Sequence, residues 1–156
     1  MDNLDYKILK LVMENSRIAW SDIAAQVGLS APAVTERYNR LVQQGVIEEV
    51  TLKVNAELVG NECMAFVAVT LEKPIYREAF LQKIEALEEV QECHHIAGDA
   101  DYFVKICCRN TKDLDRIISY ELKGIDGILN TKTTIVMNTL KETMQTKLQH
   151  HVFHMK

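Results

Sequence analysis

The hydrophobic pattern of this chain changes period once, and that change limits the folds open to it. Between Leu4 and Gly45 the apolar residues recur at helical spacing. Leu4, Ile8, Leu11 and Val12 share one stripe, Ile23, Ala24 and Val27 a second, and Val34, Tyr38 and Leu41 a third with Val42 at its edge. From Cys63 onward, β-branched and alternating runs take over, interrupted by two further helical stretches. The expected class is α+β: a small helical module, then a mixed one.

Within the helical part, the spacing predicts a first helix over about 5–15. A second helix, capped by Ser21, stops at Gly28, since glycine most cheaply takes the left-handed conformation that ends a helix. Ser30 can cap a third, with Pro32 in its first turn where a missing N–H does no harm, and Gly45 closes it. Helix, short helix, glycine turn and second helix form the helix-turn-helix layout, although such spacing also occurs in helical hairpins with no role on DNA. The third helix turns Val34, Tyr38 and Leu41 one way and spreads Pro32, Ala33, Thr35, Glu36, Asn39, Arg40 and Gln43 over the other. Small residues at its start would let the helix end approach the floor of a major groove. Thr35, Glu36, Asn39 and Arg40 have side chains able to read base edges, and Arg37, at the flank, suits a phosphate. A polar face is also what any solvated helix carries; here the middle of the face has less lysine and glutamate than such a helix would be expected to show.

Charge sets the terms of any DNA binding. The chain has a net charge of −4, and residues 1–54 hold six lysines and arginines against seven acids. Phosphate contacts supply most non-specific affinity, so one such module would bind weakly and two copies are implied. No apolar run reaches the roughly 18 residues needed to span a bilayer, and the N-terminus lacks the basic region of a signal peptide, so a cytoplasmic location is expected.

Residues 46–55, "VIEEVTLKVN", read as a strand, and "AELVGNE" behind them as a connector, which places a boundary near 55–62. Beyond it the order is strand ("CMAFVAVTLEK"), helix ("YREAFLQKIEALEEV", burying Phe80, Ile84 and Leu87), two strands joined through Gly98-Asp99-Ala100-Asp101, a helix capped by Thr111, and a last strand ("GILNTKTTIVMNTL"). This is the βαββαβ ferredoxin-like pattern, a four-stranded antiparallel sheet with both helices on one face. Met64, Phe66 and Ala68 alternate with Ala65, Val67 and Val69, so the sheet is apolar on both sides. The uncovered side predicts a homodimer packed sheet against sheet.

The stretch "HHIAGDADYFVKICC", 94–108, gathers groups that could form a reaction centre. Strand alternation sends His94 and His95 to opposite faces, which disfavours one metal ion between them. His150 and His154 have helical spacing but lack the acid between them that a zinc hydrolase needs, and a frayed tail fits them better. Asp99 and Asp101 suit a glycine-containing turn as well as acid–base chemistry. Cys63, Cys93, Cys107 and Cys108 include no Cys-x-x-Cys pair and read as buried small hydrophobes, with a bridge between Cys93 and Cys107 across the hairpin as the alternative. No phosphate loop and no nucleophile–base set is present, so an enzyme, a metal or a cofactor is not expected. The turn could instead hold the ammonium and carboxylate of an amino acid where subunits meet.

Four stretches together, "LDYKILKLVMENSR", "VGLSAPAVTERYNRLVQQGVIEE", "VQECHHIAGDADYFVKI" and "TKTTIVMNTLKE", resemble the leucine-responsive/asparagine-responsive (Lrp/AsnC) family of transcription regulators, from about Leu4 to Lys141. The resemblance implies a helix-turn-helix (winged-helix-like) domain at 1–54, a hinge at 55–62, a ferredoxin-like effector-binding and oligomerisation domain at 63–141, and a tail at 142–156. It implies dimers formed through sheet faces and hinge strands, assembling to tetramers or octamers on double-stranded DNA. The DNA-reading set would be Ser30, Ala31, Ala33, Thr35, Glu36, Arg37, Asn39 and Arg40, with Ala31, Ala33 and Glu36 making it less basic than is usual in the family. An amino-acid effector would lie between dimers, held by Ile96, Gly98, Asp99, Ala100, Asp101 and Tyr102 against Thr134, Ile135 and Val136, with Asp101 taking its ammonium group. The rival readings are a stand-alone ferredoxin-like metabolite-binding protein whose helical third serves only dimerisation, and an architectural DNA-binding protein without an effector.

Overall fold

In the computed structural model, which describes residues 1–149, the helical part comprises α1 (Asn3–Glu14), α2 (Trp20–Val27) and α3 (Ala31–Gln43). Their apolar stripes meet in one core of Ile8, Val12, Ile23, Ala24, Val27 and Val34, with Tyr38 and Leu29 packed at its edge. Burying an Ile or Val side chain of this kind stabilises by about 1.5–3 kcal/mol, which is what holds helices too short to persist alone. Two of the helices start elsewhere than expected. α1 begins earlier than its apolar stripe suggests because Asp2 caps it, accepting from the backbone N–H groups of Leu4 and Asp5. α2 begins after Ala19, so Ser21 lies inside the helix and does not cap it. Gly28 does end α2 in the left-handed region at φ 71°, and Ser30 caps α3 by accepting from Ala33 N–H at 3.4 Å.

The strand expected over 46–55 does not form within one chain. The segment opens with bends at Val46 and Ile47 and joins no ladder among the described residues, and Val50, Leu52 and Val54 are 58%, 73% and 59% exposed, with the residues between them exposed as well. A strand needs a neighbour for its backbone groups, and here the chain offers none.

The second part is built from β1 (Cys63–Leu71), α4 (Arg77–Glu85), β2 (Val90–His95), β3 (Tyr102–Cys108), α5 (Thr111–Arg116), which continues with wider π-type turns through Leu122, and β4 (Ile128–Ile135). The strand order is β2-β3-β1-β4 with every neighbouring pair antiparallel, the ferredoxin-like arrangement. Ala65, Val67 and Val69 of β1 and Val104 and Ile106 of β3 are fully buried beneath Phe80 and Ile84 of α4 and Leu114, Ile117 and Leu122 of the α5 segment, so both helices cover one face. α4 stops before Leu87, which still packs against the core, and the cap of α5 is Asn110, not Thr111, accepting from Asp113 N–H at 2.9 Å.

On the other face the register lines up two rows: Glu92, Lys105, Phe66 and Thr134, then His94, Phe103, Ala68 and Lys132. Phe66 and Phe103 stack with ring centroids 5.3 Å apart and no helix above them. No helix covers this face, as alternation along β1 predicts, but its apolar part is a strip of Phe66, Phe103 and Ala68 set among Glu92, Lys105, Thr134, His94 and Lys132.

The cysteines also sort by face. Cys93 stands opposite Val104 and packs towards the core, whereas Cys107 pairs with Met64 on the open side, which removes the suggested bridge between them. None of the four cysteines forms a disulfide; Cys108 faces Cys63 across the β1–β3 pair, and burial together with that neighbour pushes it up to about 12, leaving it an unreactive core side chain.

The chain divides into two compact units, Lys53–Leu140 and, separately, Met1–Leu52 together with the described residues from Lys141 on. The tail is thus part of the helical unit up to Gln149: the Gln145 side-chain amide donates to Met13 O at 2.7 Å, and the Tyr6 hydroxyl donates to Gln149 O. His150 and His154 lie outside the described residues.

Candidate DNA-reading face and effector loop

The turn through Gly28 and the cap at Ser30 leave the first turn of α3 open to solvent, and the Trp20 ring against Tyr38, centroids 4.8 Å apart, fixes α2 to its inner side. On the outer side Ser30, Pro32, Glu36, Asn39, Arg40 and Gln43 are exposed, while Ala31, Ala33, Thr35 and Arg37 are half-buried. The Thr35 hydroxyl donates back to Ala31 O at 3.1 Å, which leaves its lone pairs outward.

The two arginines of this face are already partnered. Arg37 Nη1 lies 2.6 Å from Asp2 Oδ2 and 2.8 Å from Asp5 Oδ1, and Arg40 Nη2 lies 2.9 and 3.2 Å from the two Asp5 oxygens. Asp5 is 2% exposed and also accepts from the Asp2 backbone N–H at 2.9 Å, completing a reciprocal capping box at the start of α1. The Asp2 carboxyl is held below the usual range by the Asp5 N–H and then by Arg37, and Arg37 is raised in turn. Neither aspartate belongs to the reading face expected from sequence. The trace they leave there is an Asp-x-x-Asp spacing and an acid set within an apolar stripe, between Leu4 and Ile8.

In the second unit the loop between β2 and β3 is tied down by its own backbone. Ile96 N–H donates to Asp101 O at 2.9 Å, Asp101 N–H to Val69 O at 3.0 Å, and Leu71 N–H to Asp101 Oδ2 at 2.7 Å. Asp101 Oδ2 therefore holds the end of β1. Gly98 and Asp99 are exposed, Ile96 and Ala100 half-buried. A Cβ added at Gly98 would meet nothing within 4 Å, so only something outside the chain could require glycine there. Tyr102 is core: 3% exposed, its ring 4.7 Å from that of Phe80 and 5.2 Å from that of His95. His95 thus faces the helices, while His94 sits beside Glu92 at 3.1 Å on the open face, and Glu92, bound also by Lys105 at 3.0 Å, has its carboxyl lowered by His94 first and Lys105 second.

One chain does not bring the two halves of the expected effector site together. Tyr102 pairs with Val69 near the end of β1, whereas Thr134 and Ile135 pair with Phe66 and Ala65 and Val136 N–H donates to Met64 O, near its start. At about 3.3 Å per residue the halves are separated by roughly 10 Å or more of strand. Among the described residues no group of three or more His, Cys, Asp or Glu could hold a metal ion, and no helix is long and apolar enough to cross a membrane.

A helix-turn-helix unit followed by a ferredoxin-like unit with an uncovered sheet face defines a class: regulators that join a DNA-recognition fold to a small-molecule-binding fold. Residues 1–42 match the AsnC-type helix-turn-helix domain and residues 64–146 the Lrp/AsnC ligand binding domain. The chain is 36% identical to the leucine-responsive regulatory protein of Haemophilus influenzae over 145 residues, covering 92% of this chain and 87% of that protein. It is 30% identical to the regulatory protein AsnC of Escherichia coli over 146 residues, 93% and 96% of the two chains. The solved structure of E. coli AsnC superimposes with a TM-score of 0.87 at 29% identity, covering 93% of this chain and 97% of that one. The feast or famine regulatory protein of M. tuberculosis complexed with L-methionine superimposes with a TM-score of 0.85 at 28% identity, again over 93% and 97%. This chain belongs to the Lrp/AsnC family, whose members are transcription regulators and not enzymes.

Proposed function

We propose that the protein is a homo-oligomeric, sequence-specific DNA-binding regulator whose assembly or grip on DNA is set by a small amino acid. The observation that carries the reading is the placement of the loop 96–102 and the strand 134–136 at opposite ends of one sheet. A ligand that needs both must take them from different chains, so binding reports on assembly. The outer side of α3, from Ser30 to Arg40, is the part proposed to enter the major groove, and the near-neutral charge of the module makes two or more copies necessary for useful affinity.

The open sheet face around Phe66 and Phe103, and the exposed Val50, Leu52 and Val54, are the surfaces proposed to pair in the dimer. Dimers would then meet to form tetramers or octamers, with the effector between them. Asp101 supplies its side chain to the ammonium group, and exposed backbone around Gly98 and Asp99 faces the carboxylate. A ligand shifts such an assembly only by its difference in affinity for two arrangements, typically about 1–3 kcal/mol.

The test is a gel shift on the DNA upstream of the protein's own gene, repeated with each common amino acid, alongside thermal-shift and sedimentation measurements. L-methionine is the first ligand to try, because the M. tuberculosis relative carries it. Specific retardation with a ligand-dependent change in sedimentation supports the reading. A protein that binds no duplex but still binds an amino acid would favour the metabolite-binding alternative.

A further inference from the structure

We propose that Asp5, assisted by Asp2, is a positioning residue for DNA recognition: it neutralises and orients Arg37 and Arg40 so that α3 does not grip phosphates indiscriminately. The inference rests on the proposal that α3 reads DNA. Its basis is the four-residue cluster in which every charged side chain is matched. Two guanidinium groups meet two carboxylates at 2.6 to 3.2 Å, and the central carboxylate, Asp5, is 3% exposed at its side chain while Arg40 remains 47% exposed.

A free arginine on a DNA-facing helix contacts any phosphate within reach, and each such contact adds affinity regardless of sequence. An arginine already bound to a buried carboxylate offers donors in a fixed direction but little net charge. Arg40 keeps exposed donors and can still address a base edge; Arg37, 23% exposed and shared by both aspartates, has little freedom to follow the backbone. The capping box gives Asp5 a further anchor, since the Asp2 N–H donates at 2.9 Å to Oδ2, the oxygen that Arg40 reaches at 3.2 Å. The acids therefore govern specificity from α1, without themselves touching DNA.

The experiment compares the full-length protein with its Asp5→Asn, Asp5→Glu and Asp2→Asn variants, measuring anisotropy of a random-sequence duplex across 50 to 200 mM salt, with melting and sedimentation as controls. Asp5→Asn keeps an oxygen for the cap and removes the charge. It should bind the random duplex more tightly than wild type and with a steeper salt dependence, by about 0.9 in the log–log slope for each phosphate newly contacted, or roughly 3.5-fold more weakening over that salt range. Asp5→Glu, which keeps both the charge and an oxygen for the Asp2 N–H, should restore the wild-type slope, and melting curves separate this from loss of the α1 cap, since the cap oxygen is kept in Asp5→Asn as well. Asp2→Asn, at the exposed end of the cluster, should shift the slope in the same direction by less, and serves if Asp5→Asn does not fold. A folded variant lacking the charge but retaining the wild-type slope, or a shallower one, overturns the proposal. Wild-type protein that binds no duplex at any salt would instead overturn the DNA-reading proposal on which it stands.

Discussion

Arg40 Nη2 sits 2.9 Å from one oxygen of Asp5 and 3.2 Å from the other, joining α3 to the buried carboxylate in the first turn of α1. One of the side chains that the sequence offers for reading bases is thus also a structural one. Replacing it by alanine leaves Asp5 with Arg37 and the Asp2 N–H as partners, so Arg40→Ala should cost about 1–2 kcal/mol of stability in addition to weakening DNA binding. Urea denaturation checks the first effect. In a double-mutant cycle with Asp5→Asn the two losses should be less than additive; strict additivity would mean that the contact contributes nothing.

Asp101→Asn and Asp101→Ala should behave differently. The amide retains an oxygen for the Leu71 N–H, now bonded at 2.7 Å, whereas alanine leaves the end of β1 without its partner. The asparagine variant should melt close to wild type and lose the amino-acid response, while the alanine variant should lose about 1 kcal/mol of stability as well. Thermal shifts with and without the responsive amino acid separate the two; a full response in Asp101→Asn would remove Asp101 from the ligand.

Glycines at two positions should show opposite sensitivities. Gly98 has open space around an added Cβ, so Gly98→Ala should leave the unliganded protein's stability within about 0.5 kcal/mol, and any change in sedimentation or ligand response must come from a second chain or the ligand. At Gly127, φ is +85° and a Cβ would overlap the Tyr76 ring, so Gly127→Ala should destabilise by about 1–3 kcal/mol. Equal melting curves for the two variants would contradict this contrast.

Acid should weaken the helical unit through Asp2. Its carboxyl lies lower in the folded chain than in the unfolded one, chiefly because it accepts the Asp5 N–H and pairs with Arg37. Such a group contributes its stability in full above the unfolded value, near pH 4, and loses it as pH falls through the lowered folded value. Melting temperature measured from pH 7 down to pH 3 should fall below about pH 4, and less steeply in Asp2→Asn; parallel curves would show that Asp2 is not among the groups responsible.

Local chemistry made much of this architecture readable from sequence. Helical spacing of Ile8, Val34 and Leu41, the left-handed stop at Gly28 and the Ser30 cap are set within a few residues, and so is the alternation that buries Ala65, Val67 and Val69 and leaves Phe66 on the open face. The same alternation separates His94 from His95 and makes a metal between them untenable. Other features depend on partners distant in the chain, and the local marks they leave do not name the partner. Asp5 and Arg37 lie 32 positions apart, and nothing near either predicts that they meet. The 46–55 segment has strand composition but forms no strand, because pairing is a property of two segments and composition of one. The loop at Gly98–Tyr102 and the strand at Thr134–Val136 can be identified from sequence, yet only the strand register puts them at opposite ends of one sheet. Sequence determined the helices and the four sheet strands and which of their faces are apolar. Tertiary structure decided which charges are neutralised, whether the 46–55 segment finds a partner strand, and how far apart the residues of the proposed effector site lie in one chain, since all three are distances between residues that the chain order leaves free.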